Sequence, residues 1–147
     1  MNYIRLFLIF SLVLFSCSKS DLKVFETSDL MTEELRGKYI VINYWADWCP
    51  PCIREIPELN KLNKKFSKDL KVLLFNYDNL EGDELREQLK RFNVKVDSLE
   101  EDPRNIFGWD LPENLPVTFI IGTDGKLKHR LDGPQSYEGL VELLELI

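Results

Sequence analysis

Two cysteines separated by two prolines, Cys49-Pro50-Pro51-Cys52, are the residues in this sequence best suited to covalent chemistry. Two sulfurs at this spacing on a helix start can close a small disulfide ring. Cys49 would then lie where free N–H groups and the helix dipole favour an anion. That setting lowers a thiol's pKa and makes it a nucleophile at neutral pH. Cys52, about one turn further on and more buried, is positioned to resolve a mixed disulfide. Pro50 and Pro51 fall in the first turn, where a missing N–H costs nothing, and they stiffen the link between the sulfurs. Prolines inside the pair and a helix directly after it favour redox chemistry over a static cross-link.

Other uses of the pair are less well supplied. Half a zinc site would need two more ligands, and the candidates are Cys17, in the leader region, and His129, on a Lys/Arg-rich strand. A c-type haem would need His after Cys52, where Ile53 stands. Delivery of Cu(I) by the two soft sulfurs is an alternative, as is a partner-binding lipoprotein whose disulfide is only a staple. No His or Met cluster accompanies the pair to support copper. The expected cofactor is therefore none beyond the Cys49–Cys52 disulfide, with no metal.

The elements around the pair are legible from periodicity. Tyr39 to Ala46 is a nearly continuous β-branched and aromatic run, which predicts a central strand buried on both faces. Ile53, Ile56, Leu59, Leu62 and Phe66 recur at helical spacing, predicting a helix from Cys52 to Phe66. Lys71 to Tyr77 predicts a second buried strand, and Asp83 to Phe92 a helix with Leu85, Leu89 and Phe92 on one face. Val117 to Ile121 and Lys126 to Leu131 predict two more strands, joined by a hairpin turn at Thr123-Asp124-Gly125. Leu22 to Phe25 reads as an edge strand, Met31 to Arg36 as a short helix stopped by Gly37, and Tyr137 to Ile147 as a closing helix. Residues 97–116 read as an irregular acidic stretch with a short helix near Pro103 to Gly108. The sum is an α/β fold, a mixed sheet flanked by helices on both faces.

The chain is 147 residues long, which suits one domain. Its net charge of −6, with charges interspersed, argues against nucleic acid as a partner. Leu6 to Phe15 is apolar apart from Ser11 and follows Arg5. It falls short of the roughly 20 residues needed to span a bilayer and reads as a secretory signal. Leu14-Phe15-Ser16-Cys17 resembles a bacterial lipobox, in which the cysteine is lipidated; cleavage by an ordinary signal peptidase and an uncleaved short anchor are the alternative readings, and all three place the domain outside the cytosol. The expected layout is a lipoprotein-type signal at 1–16, a tether at 17–21 and a folded domain at 22–147. The domain would be extracytoplasmic, in the periplasm, held to a membrane through Cys17.

Trp48-Cys49-Pro50-Pro51-Cys52 after an apolar strand, with Pro57 five residues on and Leu115-Pro116-Val117-Thr118 before a later strand, resembles the thioredoxin superfamily. Gly37-Lys38, Asn43 to Cys52 and Ile56-Pro57-Glu58-Leu59 are most similar to its TlpA/ResA/DsbE-like branch. The resemblance implies a thioredoxin-like fold and a thiol–disulfide oxidoreductase, usually reducing and often linked to cytochrome c maturation. It implies a cis bond before Pro116, with Leu115 pairing its main chain to the client, and contact surface from Trp48, Pro50 and Pro51. It also implies disulfide-bearing client proteins and a membrane thiol donor of the DsbD/CcdA type. Cytosolic thioredoxins carry a buried Asp as proton acceptor where this chain has Asn43, and an amide cannot take a proton near neutral pH. The related branch uses a Glu from elsewhere, and the expected candidates here are Glu81 and Asp78.

Overall fold

The computed structural model describes residues 22–146. The expected signal segment 1–16 and the expected tether 17–21, with Cys17, lie outside the described residues. The central strand β1 (Tyr39–Trp45) has six of its seven residues buried, as its β-branched and aromatic composition requires. It pairs in parallel with β2 (Leu70–Asn76) and antiparallel with β4 (Val117–Ile121). A short β3 (Asp97–Leu99) adds in parallel to β2, and β5 (Leu127–Asp132) adds antiparallel to β4. The sheet order is β3-β2-β1-β4-β5.

Parallel neighbours need crossovers, and α1 (Pro50–Lys65) and α2 (Gly82–Arg91) provide them. Two right-handed crossovers that advance in one direction across a sheet leave both helices on the same face. The side chains agree. Ile56, Leu59 and Leu62 of α1 share one apolar cluster with Val41, Trp45, Val72 and Leu74, and Leu89 of α2 packs against it. The closing helix α4 (Tyr137–Leu143) joins this cluster through Leu140 and Val141. Leu59 and Leu62 have no exposed surface, and each is worth about 1.5–3 kcal/mol of transfer free energy.

The other face of β1 presents Ile40, Ile42 and Tyr44, as the two-residue period of a strand dictates. They meet Leu22, Val24, Leu35, Leu73, Phe75 and Phe119, with Phe107 of α3 (Arg104–Phe107) and Trp109 packed alongside. A stack runs from Phe107 through Trp109 to Phe119, with centroid spacings of 5.0 and 4.1 Å. Tyr44 ties this layer down. Its hydroxyl donates to Asp102 Oδ1 at 2.8 Å and accepts from Trp109 Nε1 at 3.0 Å.

Several expected elements differ in form. Leu22 to Phe25 is not a strand but makes two isolated bridges, Leu22 to Leu30 and Val24 to Leu99. Glu26, at φ 56°, turns the chain before a ladder can extend. Residues 32–35 form a 3₁₀ turn, ended by Gly37 at φ 83°. The stretch read as irregular contains β3, whose three residues are too few to show alternation. The closing helix stops at Leu143, with Glu145 in the left-handed region at φ 51°. The hairpin turn is present, with Gly125 at φ 76° and its N–H on Gly122 O at 2.8 Å.

Candidate active site

The end of β1 delivers Asp47 and Trp48 to the first turn of α1. Cys49 is the N-cap, in an extended conformation, and Pro50 and Pro51 open the helix. Cys49 and Cys52 are joined as a disulfide with their Cα atoms 5.3 Å apart. The N–H of Cys52 donates to Cys49 Sγ at 3.3 Å. One of the helix's otherwise unpaired N–H groups therefore already points at the sulfur that would carry negative charge in the reduced pair. Cys49 is 4% exposed and Cys52 1%, so the resolving position is the deeper one.

A third group on the same helix was missed by sequence reasoning. Glu55 lies three residues after Cys52, one turn along α1, and is 2% exposed. Its Oε2 accepts from Asn43 Nδ2 at 3.0 Å, and its Oε1 accepts from the N–H of Gln135 at 2.9 Å. Asn43 Nδ2 also donates to Thr118 Oγ1 at 2.9 Å, across the β1–β4 pairing. Burial pushes the Glu55 carboxyl up to about 7, and the two hydrogen bonds act against that rise by stabilising the ionised form. The signal for Glu55 was available: it is a carboxylate on the apolar stripe between Cys52 and Leu59.

The expected acceptors stand elsewhere. Glu81 is exposed at the N-cap of α2. Asp78 is also exposed, and its Oδ2 accepts from Trp48 Nε1 at 2.7 Å. In the structure Asp78 thus holds the Trp48 indole. Both expected candidates lie in the segment after β2, whereas the buried carboxylate lies on the helix that carries the pair.

The surface beside the sulfurs is apolar. Trp48 is 59% exposed and meets Tyr77 edge to face, with ring centroids 6.4 Å apart. The Tyr77 hydroxyl donates to Pro112 O at 3.0 Å, which fixes the loop leading to Leu115. The Leu115–Pro116 bond is cis. Leu115 is half-buried and Pro116 buried, whereas Pro50 is exposed and Pro51 half-buried. Pro116 O accepts from the N–H of Gly133 at 2.9 Å.

Comparison with known proteins agrees with this architecture. Residues 14–130 match the AhpC/TSA family. Thiol-disulfide oxidoreductase ResA of Bacillus cereus is 28% identical over 123 residues, covering 83% of this chain and 70% of that protein. Among solved structures, StoA from Bacillus subtilis aligns with a TM-score of 0.66 at 20% identity, over 82% of this chain and 92% of that one. The exposed lipoprotein thioredoxin of Streptococcus pneumoniae aligns with a TM-score of 0.69 at 19% identity, over 86% and 97%. The structural likenesses establish a thioredoxin-like fold, the one expected from the sequence. The chain therefore belongs to the AhpC/TSA family, and within that family it is a thiol–disulfide oxidoreductase similar to ResA.

Proposed function

We propose that the protein reduces disulfides in extracytoplasmic client proteins, apocytochrome c among the candidates, through a dithiol–disulfide cycle at Cys49 and Cys52. The observation that carries this reading is a buried carboxylate, Glu55, one helical turn behind a Cys pair at the head of α1. In the reduced protein the Cys49 thiolate attacks a client sulfur. The client S–S bond breaks, a mixed disulfide forms, and one client thiolate leaves. Cys52 gives its proton to Glu55 and attacks Cys49 Sγ, which releases the second client thiolate. The client gains two electrons and takes up two protons, and the protein is left with the Cys49–Cys52 disulfide.

The client's chain lies against Trp48, Pro50 and Pro51, and the main chain of Leu115 pairs with it in the manner of an added strand. Pro116 closes that loop. No cofactor enters, because the sulfurs themselves carry both electrons. A thiol donor of the DsbD/CcdA type in the membrane re-reduces the pair. The apolar leader and Cys17 support an extracytoplasmic, lipid-anchored location, and one structural relative is itself an exposed lipoprotein. Pro50-Pro51 favours a reductant, since the dipeptide lacks a His that would further stabilise the thiolate.

Turnover in an insulin-reduction assay, abolished in Cys49→Ser, tests the enzyme reading against a structural staple. Equilibration with glutathione tests the direction. A potential near the roughly −120 mV of a strong oxidant such as DsbA would overturn the reducing assignment. Cys52→Ser should accumulate mixed disulfides whose clients mass spectrometry can name.

A further inference from the structure

The turn between β5 and α4 touches both halves of the site without carrying a side chain into either. Gly133 donates its N–H to Pro116 O at 2.9 Å, behind the peptide on which a client is read. Two residues on, Gln135 donates its N–H to Glu55 Oε1 at 2.9 Å. The Gln135 side chain folds back so that Nε2 donates to Gly133 O at 2.8 Å, which closes the turn on itself. Gly133 sits at φ 85°, a conformation that favours glycine, and Ser136 caps α4 immediately afterwards through its hydroxyl on the Gly139 N–H. The turn is therefore fixed at both ends and internally.

We propose that the Gly133–Gln135 turn is a positioning element of the redox site, in which the Gln135 amide sets how readily Glu55 takes the Cys52 proton and the Gly133 amide braces the Leu115–Pro116 peptide in the same unit. This rests on the reading of Glu55 as proton acceptor. Two donors hold Glu55, Asn43 from β1 and Gln135 from the turn, and both favour its charged form. The titratable groups near it on α1 are Cys52 and Glu58, and Glu58 Oε2 is occupied by the N–H of Tyr137 at 3.0 Å. β1 and β4 present only the neutral Asn43 and Thr118. Among the described residues no charged side chain contributes to the Glu55 balance, which burial and the two neutral donors set between them. In such an enclosure, removal of one donor acts directly on proton affinity.

The test is a titration by NMR of the oxidised protein, in which the joined sulfurs do not ionise. The Glu55 carboxyl carbon and the Gln135 amide proton should move with a single midpoint. Gln135→Pro deletes the donor and should raise the Glu55 midpoint by about one pH unit, moving the pH profile of mixed-disulfide resolution in the same direction. Gln135→Ala keeps the amide and removes only the fold-back, so it should shift the midpoint less. A Gln135 amide resonance that stays flat in the unsubstituted protein while Glu55 titrates overturns the proposal, whether or not Gln135→Pro folds. So does a folded Gln135→Pro protein with an unchanged midpoint. Either result leaves Glu55 as acceptor. If Glu55→Gln left the pH profile of resolution untouched, the acceptor reading itself would fall, and the proposal with it.

Discussion

Replacing Glu55 by Gln should flatten the pH dependence of this protein's stability. Glu55 is 2% exposed, and burial lifts its carboxyl from an ordinary 4.5 to about 7. The native state thus holds that proton more tightly than the unfolded chain does. The resulting stabilisation is complete below 4.5 and is lost as pH rises to and through about 7. At about 1.4 kcal/mol per pH unit, the loss from about pH 4 to about pH 8 comes to about 3 kcal/mol. Gln keeps the shape of the protonated acid and cannot ionise, so it should not show this loss. Its amide must also turn one NH₂ toward a donor, Asn43 or Gln135, at a cost of about 1 kcal/mol at every pH. The variant should therefore be slightly weaker than wild type in acid and clearly stronger in mild base. Urea unfolding of the oxidised protein at the two ends of that range measures this, and the difference between wild type and variant removes every other titrating group. Parallel curves for the two proteins would refute the argument, because they would mean that folding leaves the Glu55 proton affinity unchanged.

Trp48→Ala should leave stability within about 1 kcal/mol, since the side chain is largely exposed, while raising KM for a disulfide-bearing protein in a steady-state reduction assay. Tyr44→Phe removes the hydroxyl that joins Asp102 to Trp109, and should cost about 1–3 kcal/mol in urea unfolding without moving the redox potential. Asn43→Asp places a second carboxylate against Glu55 in place of a donor, so the two should share one proton. The resolution step should then titrate with two apparent pKa values, the upper one above that of the unsubstituted protein, as read from its pH–rate profile.

The parts of this molecule that repeat a period were readable in advance. β1, α1, β2 and β4 each bury a regular set of apolar residues, and their boundaries follow from that burial to within a residue or two. The redox pair was readable because its chemistry is local: both sulfurs, both prolines and the helix N-terminus fall within a few residues. β3 and the 22–25 segment were not, because β3 has only three residues and pairs with β2, while 22–25 makes only single bridges to Leu30 and to the distant Leu99. Glu55 went unread for a different reason. Burial of a carboxylate is a tertiary fact, fixed by Asn43 from a strand and Gln135 from a turn 80 positions away. The helical stripe hinted at Glu55, but an acid on an apolar face can be judged only when its partners are known.

Asn43 shows how the site balances. Seen alone, an amide in the buried strand before the pair removes the proton acceptor that cytosolic thioredoxins keep there. Beside Glu55 it becomes a necessity of the arrangement. A carboxylate at both positions, 3.0 Å apart, could not ionise together, and one of them would stay neutral through the working pH range. In the proposed cycle, placing the acid on α1 and the amide on β1 reverses the roles: the helix whose first turn would stabilise a Cys49 thiolate also carries the base for Cys52 one turn later. The proposed nucleophile, resolving thiol and proton acceptor then all stand on one helix and its N-cap. The strand and the 133–135 turn supply only neutral donors that tune the acid's proton affinity. On this proposal the enzyme adjusts its proton step through groups that never touch sulfur, without disturbing the geometry of the disulfide exchange itself.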